Sequence, residues 1–130
     1  MFGYLSELIY GYLGRNRYYL LSLIKEDNNN YSIHGLWPQY TNKSYPKYCK
    51  KVEFTLDKIK SLLPKLNKLW YSKFTKNEDF WKHEYEKHGS CMFRDMTEME
   101  YFEKTLELFD IAKKNDIIFK YINKNKNKIG

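Results

Sequence analysis

Apolar positions recur along the chain with two different periods, and each period predicts a different element. Leu5, Leu8, Ile9 and Tyr12 fall at i, i+3, i+4 and i+7, which predicts a short amphipathic helix that packs on the body of the protein rather than on a membrane. From Tyr18 to Ile24 the residues run apolar and aromatic over the length of a strand, and Tyr31 to Leu36 is a second such run. Between them Asp27-Asn28-Asn29-Asn30 is made of turn formers, so the two strands are expected to pair. Asn42 to Lys51, with Pro46 and several lysines, reads as a loop. Leu56, Ile59, Leu62 and Leu63 form a helical stripe that Pro64 stops, and Leu66, Leu69 and Trp70 resume it.

The second half carries sharper boundaries. Asn77 is a good N-cap, Glu78 and Asp79 lie in the first turn, where the helix dipole favours acids, and Gly89 suits the position after the C-cap, so residues 78–88 are expected to be helical. Thr97 with Glu100 makes a capping box, after which Phe102, Leu106 and Phe109 mark the buried face of a helix running to about Lys114. A last short helix is expected from Asp116 to Asn123, and residues 124–130 read as a frayed tail. No internal repeat or linker breaks the pattern. At 130 residues, 42% of them hydrophobic, there is room for one domain, 1–130, with one modest core.

Charge and cysteines narrow the partners and the compartment. Twenty-three Lys and Arg against sixteen Asp and Glu leave a net charge of +7, which favours an anionic partner such as nucleic acid, although a lysine-rich solvated surface has the same composition. Cys49 and Cys91 are an even count that fits one disulfide; closing residues 42 apart in sequence would contribute roughly 4 kcal/mol in the chain-entropy model. Such a bond needs an oxidising compartment. Yet Met1 to Gly14 lacks a basic n-region and Glu7 interrupts its apolar run, so no ordinary signal peptide is expected there; either the natural start lies upstream or the thiols stay reduced. No stretch approaches the roughly 20 apolar residues of a membrane-spanning helix.

The chain has three histidines, His34, His83 and His88, all within Ile33-His34-Gly35-Leu36-Trp37-Pro38 and Phe80-Trp81-Lys82-His83-Glu84-Tyr85-Glu86-Lys87-His88-Gly89-Ser90-Cys91. On a helix His83 shares a column with Lys87 and Glu84 with His88, so neighbouring columns present an acid, an ammonium and two imidazoles, with Phe80, Trp81 and Tyr85 placed elsewhere. Taken singly, each of these has an ordinary explanation as a surface charge or an i,i+4 pair. Together, with His34 in a strand, they have a chemical one. Zinc competes, because His83-Glu84 resembles the start of His-Glu-x-x-His, and Cys91 is a conceivable further ligand; but the second histidine comes five residues on, so the rings diverge by roughly 140°. Two imidazoles, a carboxylate and a lysine suit phosphodiester transesterification. One neutral imidazole takes the proton of a ribose 2′-hydroxyl, a protonated one gives a proton to the leaving 5′-oxygen, and the cations offset charge on the phosphate without a metal. DNA, lacking the 2′-hydroxyl, would not be cut.

At these two segments the chain resembles the T2 family of ribonucleases, fungal and plant vacuolar or secreted enzymes that include the stylar self-incompatibility ribonucleases. The resemblance implies an α+β fold, a small antiparallel sheet packed against several helices. It also implies a cofactor-free, monomeric endoribonuclease of low base specificity acting on single-stranded RNA, in a secreted or vacuolar setting. By it, His88 is the general base and His34 the general acid, His83 holds the phosphate, and Glu84 with Lys87 stabilises the transition state. Trp37 resembles a base-stacking aromatic, with packing under the strand as the ordinary alternative, and Cys49 and Cys91 match a disulfide pair. Three features depart from the family. The Ile24–Tyr31 connection is short; Gln39 stands where relatives often carry Asp or Asn that help read the base; and the sequence stops after the helices near residue 123, where relatives continue into further strands. The departures keep a second function in view, an RNA-binding or sequestering relative with impaired catalysis.

Overall fold

Three antiparallel strands open the molecule, β1 (Leu5–Tyr12), β2 (Arg17–Lys25) and β3 (Tyr31–Tyr40), hydrogen-bonded in the order β1-β2-β3. The computed structural model describes residues 5–12, 16–27 and 30–116, the first segment through its backbone alone. The helix expected at 5–12 is therefore a strand, paired with β2 from Leu5↔Ile24 to Tyr12↔Tyr18. Eight residues hold barely two helical turns, and a β-branched Ile9 with Tyr10 and Tyr12 suits a pleated surface as well as a helix; the available edge of β2 decides.

β2 and β3 form the expected hairpin, closed by backbone hydrogen bonds from Glu26 and Asp27 N–H to the Asn30 carbonyl and by the Asn30 amide donating to Asp27 Oδ2 at 3.0 Å. β3 runs four residues past its expected end. It tolerates Pro38 because it is an edge strand, where a missing N–H costs no interior ladder bond. Its pairing slips once: Leu23 faces Ile33 and Ser22 faces Gly35, so His34 is the extra residue of a β-bulge. Bulges bend a strand and re-aim the side chain that they carry.

After the loop, residues Leu56–Leu62 wind as a 3₁₀ helix that passes directly into α1 (Leu63–Leu69). Pro64 lies in the first turn of α1, so it starts that helix rather than stopping the one before it. α2 spans Asn77–Lys87, followed by a 3₁₀ turn at Gly89–Cys91, and α3 spans Glu98–Lys114 behind the expected Thr97–Glu100 capping box. The cap of α2 is Lys76, not Asn77; the Asn77 side chain instead accepts from Ser72 N–H and donates to Asn67, tying the preceding loop to α1. The short helix expected after Asp116 and the tail lie outside the described residues.

The core gathers Leu21, Leu23, Ile33 and Leu36 from the sheet with Trp70, Trp81, Tyr85, Tyr101 and Phe102 from the helices. Two of its polar tips are paired: Trp81 Nε1 donates to the Trp70 carbonyl at 2.6 Å and Tyr101 Oη to the Leu36 carbonyl at 3.0 Å, whereas Trp70 Nε1 is buried with no partner among the described residues. The Tyr101 bond fixes α3 to β3 one residue before Trp37. No helix among the described residues is long and apolar enough to cross a membrane.

Candidate active site

α2 has two working faces. Trp81 and Tyr85 enter the core, and Glu84 and His88, one turn apart, meet β3. Phe80 belongs to that second column, and its ring lies 5.7 Å from that of His34, so the expectation that the aromatic residues of this helix fall away from the histidine face holds for Trp81 and Tyr85 but not for Phe80.

Trp37 is the centre of the arrangement. Its Nε1 donates to Glu84 Oε1 at 2.8 Å, its ring stacks on His88 with centroids 4.9 Å apart, and the edge of His34 meets it at 5.0 Å. Both imidazoles therefore contact one indole, whose N–H anchors Glu84. His34 Nε2 lies 3.7 Å from Glu84 Oε2, while Nδ1 of both His34 and His88 is buried without a partner among the described residues. Gly35 makes this approach possible: a Cβ there would lie 2.2 Å from Glu84 Oε1 and 2.6 Å from Trp37 Nε1. A comparable steric demand, rather than a left-handed backbone, explains Gly89, whose Cβ would meet the Tyr85 ring at 2.5 Å.

Burial controls the protons. Glu84 is 2% exposed; desolvation raises its carboxyl to about 7, against the opposing pull of the Trp37 hydrogen bond and the Lys87 ammonium. Desolvation, helped by the charges of His83 and Lys87, lowers His34 to about 4. His88 is lowered to about 3, by desolvation first and then by Lys87, His34 and His83. Of the two remaining helical groups, His83 is exposed and Lys87 half-buried, and both act on the buried imidazoles through charge.

The C-terminal end of α2 is clamped by the loop before it. Cys49 and Cys91 form a disulfide with Cα atoms 5.1 Å apart, Tyr48 N–H donates to the Lys87 carbonyl, and Cys49 N–H donates to Ser90 Oγ. With Cys91 so engaged, the zinc reading loses its further ligand, and no group of three metal-ligating side chains occurs among the described residues. The loop also brings Tyr45, 43% exposed, to 6.2 Å from the His88 ring. Nothing in its local pattern distinguishes Tyr45 from the other tyrosines of a tyrosine-rich chain; the one signal was its place between the two histidine segments. Gln39 faces Tyr18 in the sheet, and no hydrogen bond joins it to the imidazoles among the described residues.

Comparison with known proteins bears on the family and the fold. The model of the Ribonuclease T2 family matches residues 16–128. The chain is 39% identical over 87 residues to a ribonuclease T2 protein of Caenorhabditis elegans, covering 62% of this chain and 31% of that one. To human ribonuclease T2 it is 35% identical over 99 residues, covering 69% and 36%. The solved structure of human RNase T2 superposes with a TM-score of 0.60 at 32% identity, over 73% of this chain and 50% of that one. RNase NT in complex with 5′-AMP gives 0.55 at 30%, over 72% and 50%. The chain thus spans about a third of the length of these curated relatives and half that of the solved ones. From the two histidine segments, the α+β architecture around them and the family match over most of its length, the chain belongs to the ribonuclease T2 family.

Proposed function

We propose that the protein is a metal-independent endoribonuclease that cleaves single-stranded RNA by transesterification through the 2′-hydroxyl, with little base specificity. The observation that carries this reading is the contact cluster His34–Trp37–Glu84–His88, two imidazoles in ring contact with one indole whose N–H is bound to a buried carboxyl. His88, neutral well below pH 7, takes the 2′-hydroxyl proton; the 2′-oxygen attacks phosphorus; the bond from phosphorus to the 5′-oxygen breaks, and that oxygen takes a proton from His34. His83 and Lys87 face the non-bridging oxygens, where negative charge grows.

His34 must arrive at this step protonated, although burial lowers its pKa. The proton is held by Glu84, whose raised pKa keeps it protonated below about 7, at 3.7 Å from His34 Nε2. An RNA phosphate brings the anion that favours imidazolium, so the proton passes from Glu84 to His34 as substrate binds, leaving a carboxylate beside the cation that it supports. Trp37, with its N–H committed to Glu84, positions this carboxyl, and the exposed Tyr45 beside His88 offers a ring on which a base can stack. Solved relatives have been captured with nucleotides, RNase NT with 5′-AMP and mutants of RNase MC1 with 5′-GMP and 5′-UMP, which is in keeping with an RNA substrate.

The test is incubation with single-stranded RNA in excess EDTA, followed by end analysis. Fragments ending in 2′,3′-cyclic phosphate are expected, and none from DNA. Binding without cleavage would replace this reading with that of an RNA-sequestering relative, and cleavage abolished by EDTA would replace it with a metal-dependent one. His34→Ala and His88→Ala should each reduce cleavage at least about a hundredfold while RNA binding persists, in line with the usual contribution of a general acid or base.

A further inference from the structure

Beyond His88 the loop and the turn after α2 border an open cavity of about 630 Å³ that the proposed reaction does not use, lined by residues 50–53 and 94–99 with Lys58, Tyr85, Gly89, Ser90 and Met92. We propose that this cavity is a second nucleotide-binding subsite, which holds one nucleotide of the RNA strand at a distance from the cleaved bond and reads an amino group on its base; the proposal rests on the ribonuclease reading above. Glu98, at the wall, is only 4% exposed. Its Oε1 accepts from Thr55 N–H at 2.9 Å, but Oε2 is buried with no partner among the described residues. A buried carboxylate oxygen left unpaired is costly, and the group that satisfies it must be a hydrogen-bond donor. The exocyclic amine of cytosine, adenine or guanine is such a donor, and carboxylate to cytosine N4 is a familiar pairing. Methionines 92, 96 and 99 supply soft apolar walls for a planar base, and Lys50, Lys51, Lys58 and Arg94 supply cations for its phosphate.

The path from the cleavage site is built into the same loop. Tyr45 lies beside His88, the backbone of Tyr48 is fixed to the Lys87 carbonyl while the residue stays 56% exposed, Cys49 is bonded to Cys91, and Lys50 already lines the cavity. Exposed aromatics interleaved with Lys47, Lys50 and Lys51 are what a single strand tracks along.

The experiment compares kcat/KM for a ribodinucleotide, too short to reach the cavity, with the same dinucleotide carrying oligocytidine or oligouridine tails. The wild-type protein should prefer tailed substrates, and cytidine over uridine tails by about tenfold. Glu98→Gln keeps the acceptor for Thr55 but offers an N–H₂ where the carboxylate oxygen stood, so it should abolish the cytidine preference. Lys58→Glu with Arg94→Glu, both at exposed positions that do not threaten folding, should lower cleavage of tailed substrates about tenfold and leave the dinucleotide unaffected. Wild-type protein that cleaves neither substrate overturns the ribonuclease reading and this subsite with it. Cleavage of both, at rates that tails and charge reversal leave unchanged, overturns the subsite alone.

Discussion

Trp37 has one N–H, and that N–H is spent on Glu84, which makes the indole a positioning residue as much as a surface for bases. Trp37→Phe keeps most of the ring and removes the donor, so Glu84 Oε1 is left buried without its partner at a cost of about 1–3 kcal/mol. The expected result is a fall in kcat of roughly tenfold to a hundredfold, of the same order as that free energy, with KM for short substrates little changed. Gly35→Ala is more severe, because the added methyl would overlap both Glu84 and Trp37 and must drive them apart; cleavage should drop at least about a hundredfold, as expected when a group is moved by an ångström, while circular dichroism stays native. The pH profile follows from the same contacts. The free site requires His88 neutral, with its pKa near 3, and a proton on the Glu84–His34 pair, held up to about pH 7. kcat/KM should therefore form a bell with its maximum in mild acid and an alkaline limb near 7. In Glu84→Gln the proton must reside on His34 itself, with its pKa near 4, so the alkaline limb should move acidward; a limb still at 7 would remove Glu84 from the proton path.

At the scale of elements, the parts legible in the sequence were those whose signals are local. The Thr97–Glu100 box is formed by side-chain and backbone bonds of 3.1 and 2.8 Å, and Thr97→Ala should destabilise the protein by about 1 kcal/mol, measurable in urea, without altering cleavage. Turn chemistry at Asp27–Asn30 was equally readable. The strand at Leu5–Tyr12 was not, since Leu5, Leu8, Ile9 and Tyr12 satisfy a helical spacing that only pairing with β2 overrides. Nor could the spacing of residues along α2 show that Glu84 is buried while His83, its neighbour in sequence, is exposed: that depends on β3 lying against one side, and on a bulge at His34 that periodicity cannot register. The segment from Tyr48 to Cys49 is bound to the end of α2 by one hydrogen bond, and to the turn after it by a disulfide and a second hydrogen bond. Replacing both cysteines with serine should cost roughly 4 kcal/mol by chain entropy. It should also loosen Tyr45 from His88, so activity at temperatures where the variant is folded falls as well; intact activity there would show that the clamp serves stability alone.

For the molecule as a whole, the buried site makes folding depend on pH in two opposed ways. His34 and His88 have folded pKa values below the usual 6.5, so as pH falls from there the unfolded chain takes up protons that the native one refuses, and stability is lost towards pH 4 and 3. Glu84 has a folded pKa above the usual 4.5, so the native state holds the extra proton between about 4.5 and 7, and its contribution is present in acid and lost as pH rises through that window. Glu98 shifts in the same direction, and below 4.5 Glu26 adds a loss on acidification: burial alone would raise it, but hydrogen bonds from Lys73, Tyr71 and Ser32 lower it overall. The individual slopes thus overlap, and a difference between two proteins separates them. Gln at position 84 can still accept from Trp37 but cannot titrate, so Glu84→Gln should gain stability relative to the wild type as pH rises from 4.5 to 7, by up to about 1.4 kcal/mol per pH unit where one proton is at stake. Urea unfolding of both proteins at pH 5 and pH 7 measures that difference. A constant offset between the two would mean that the native site carries no proton on Glu84, and His34 would then need another source for the one it donates.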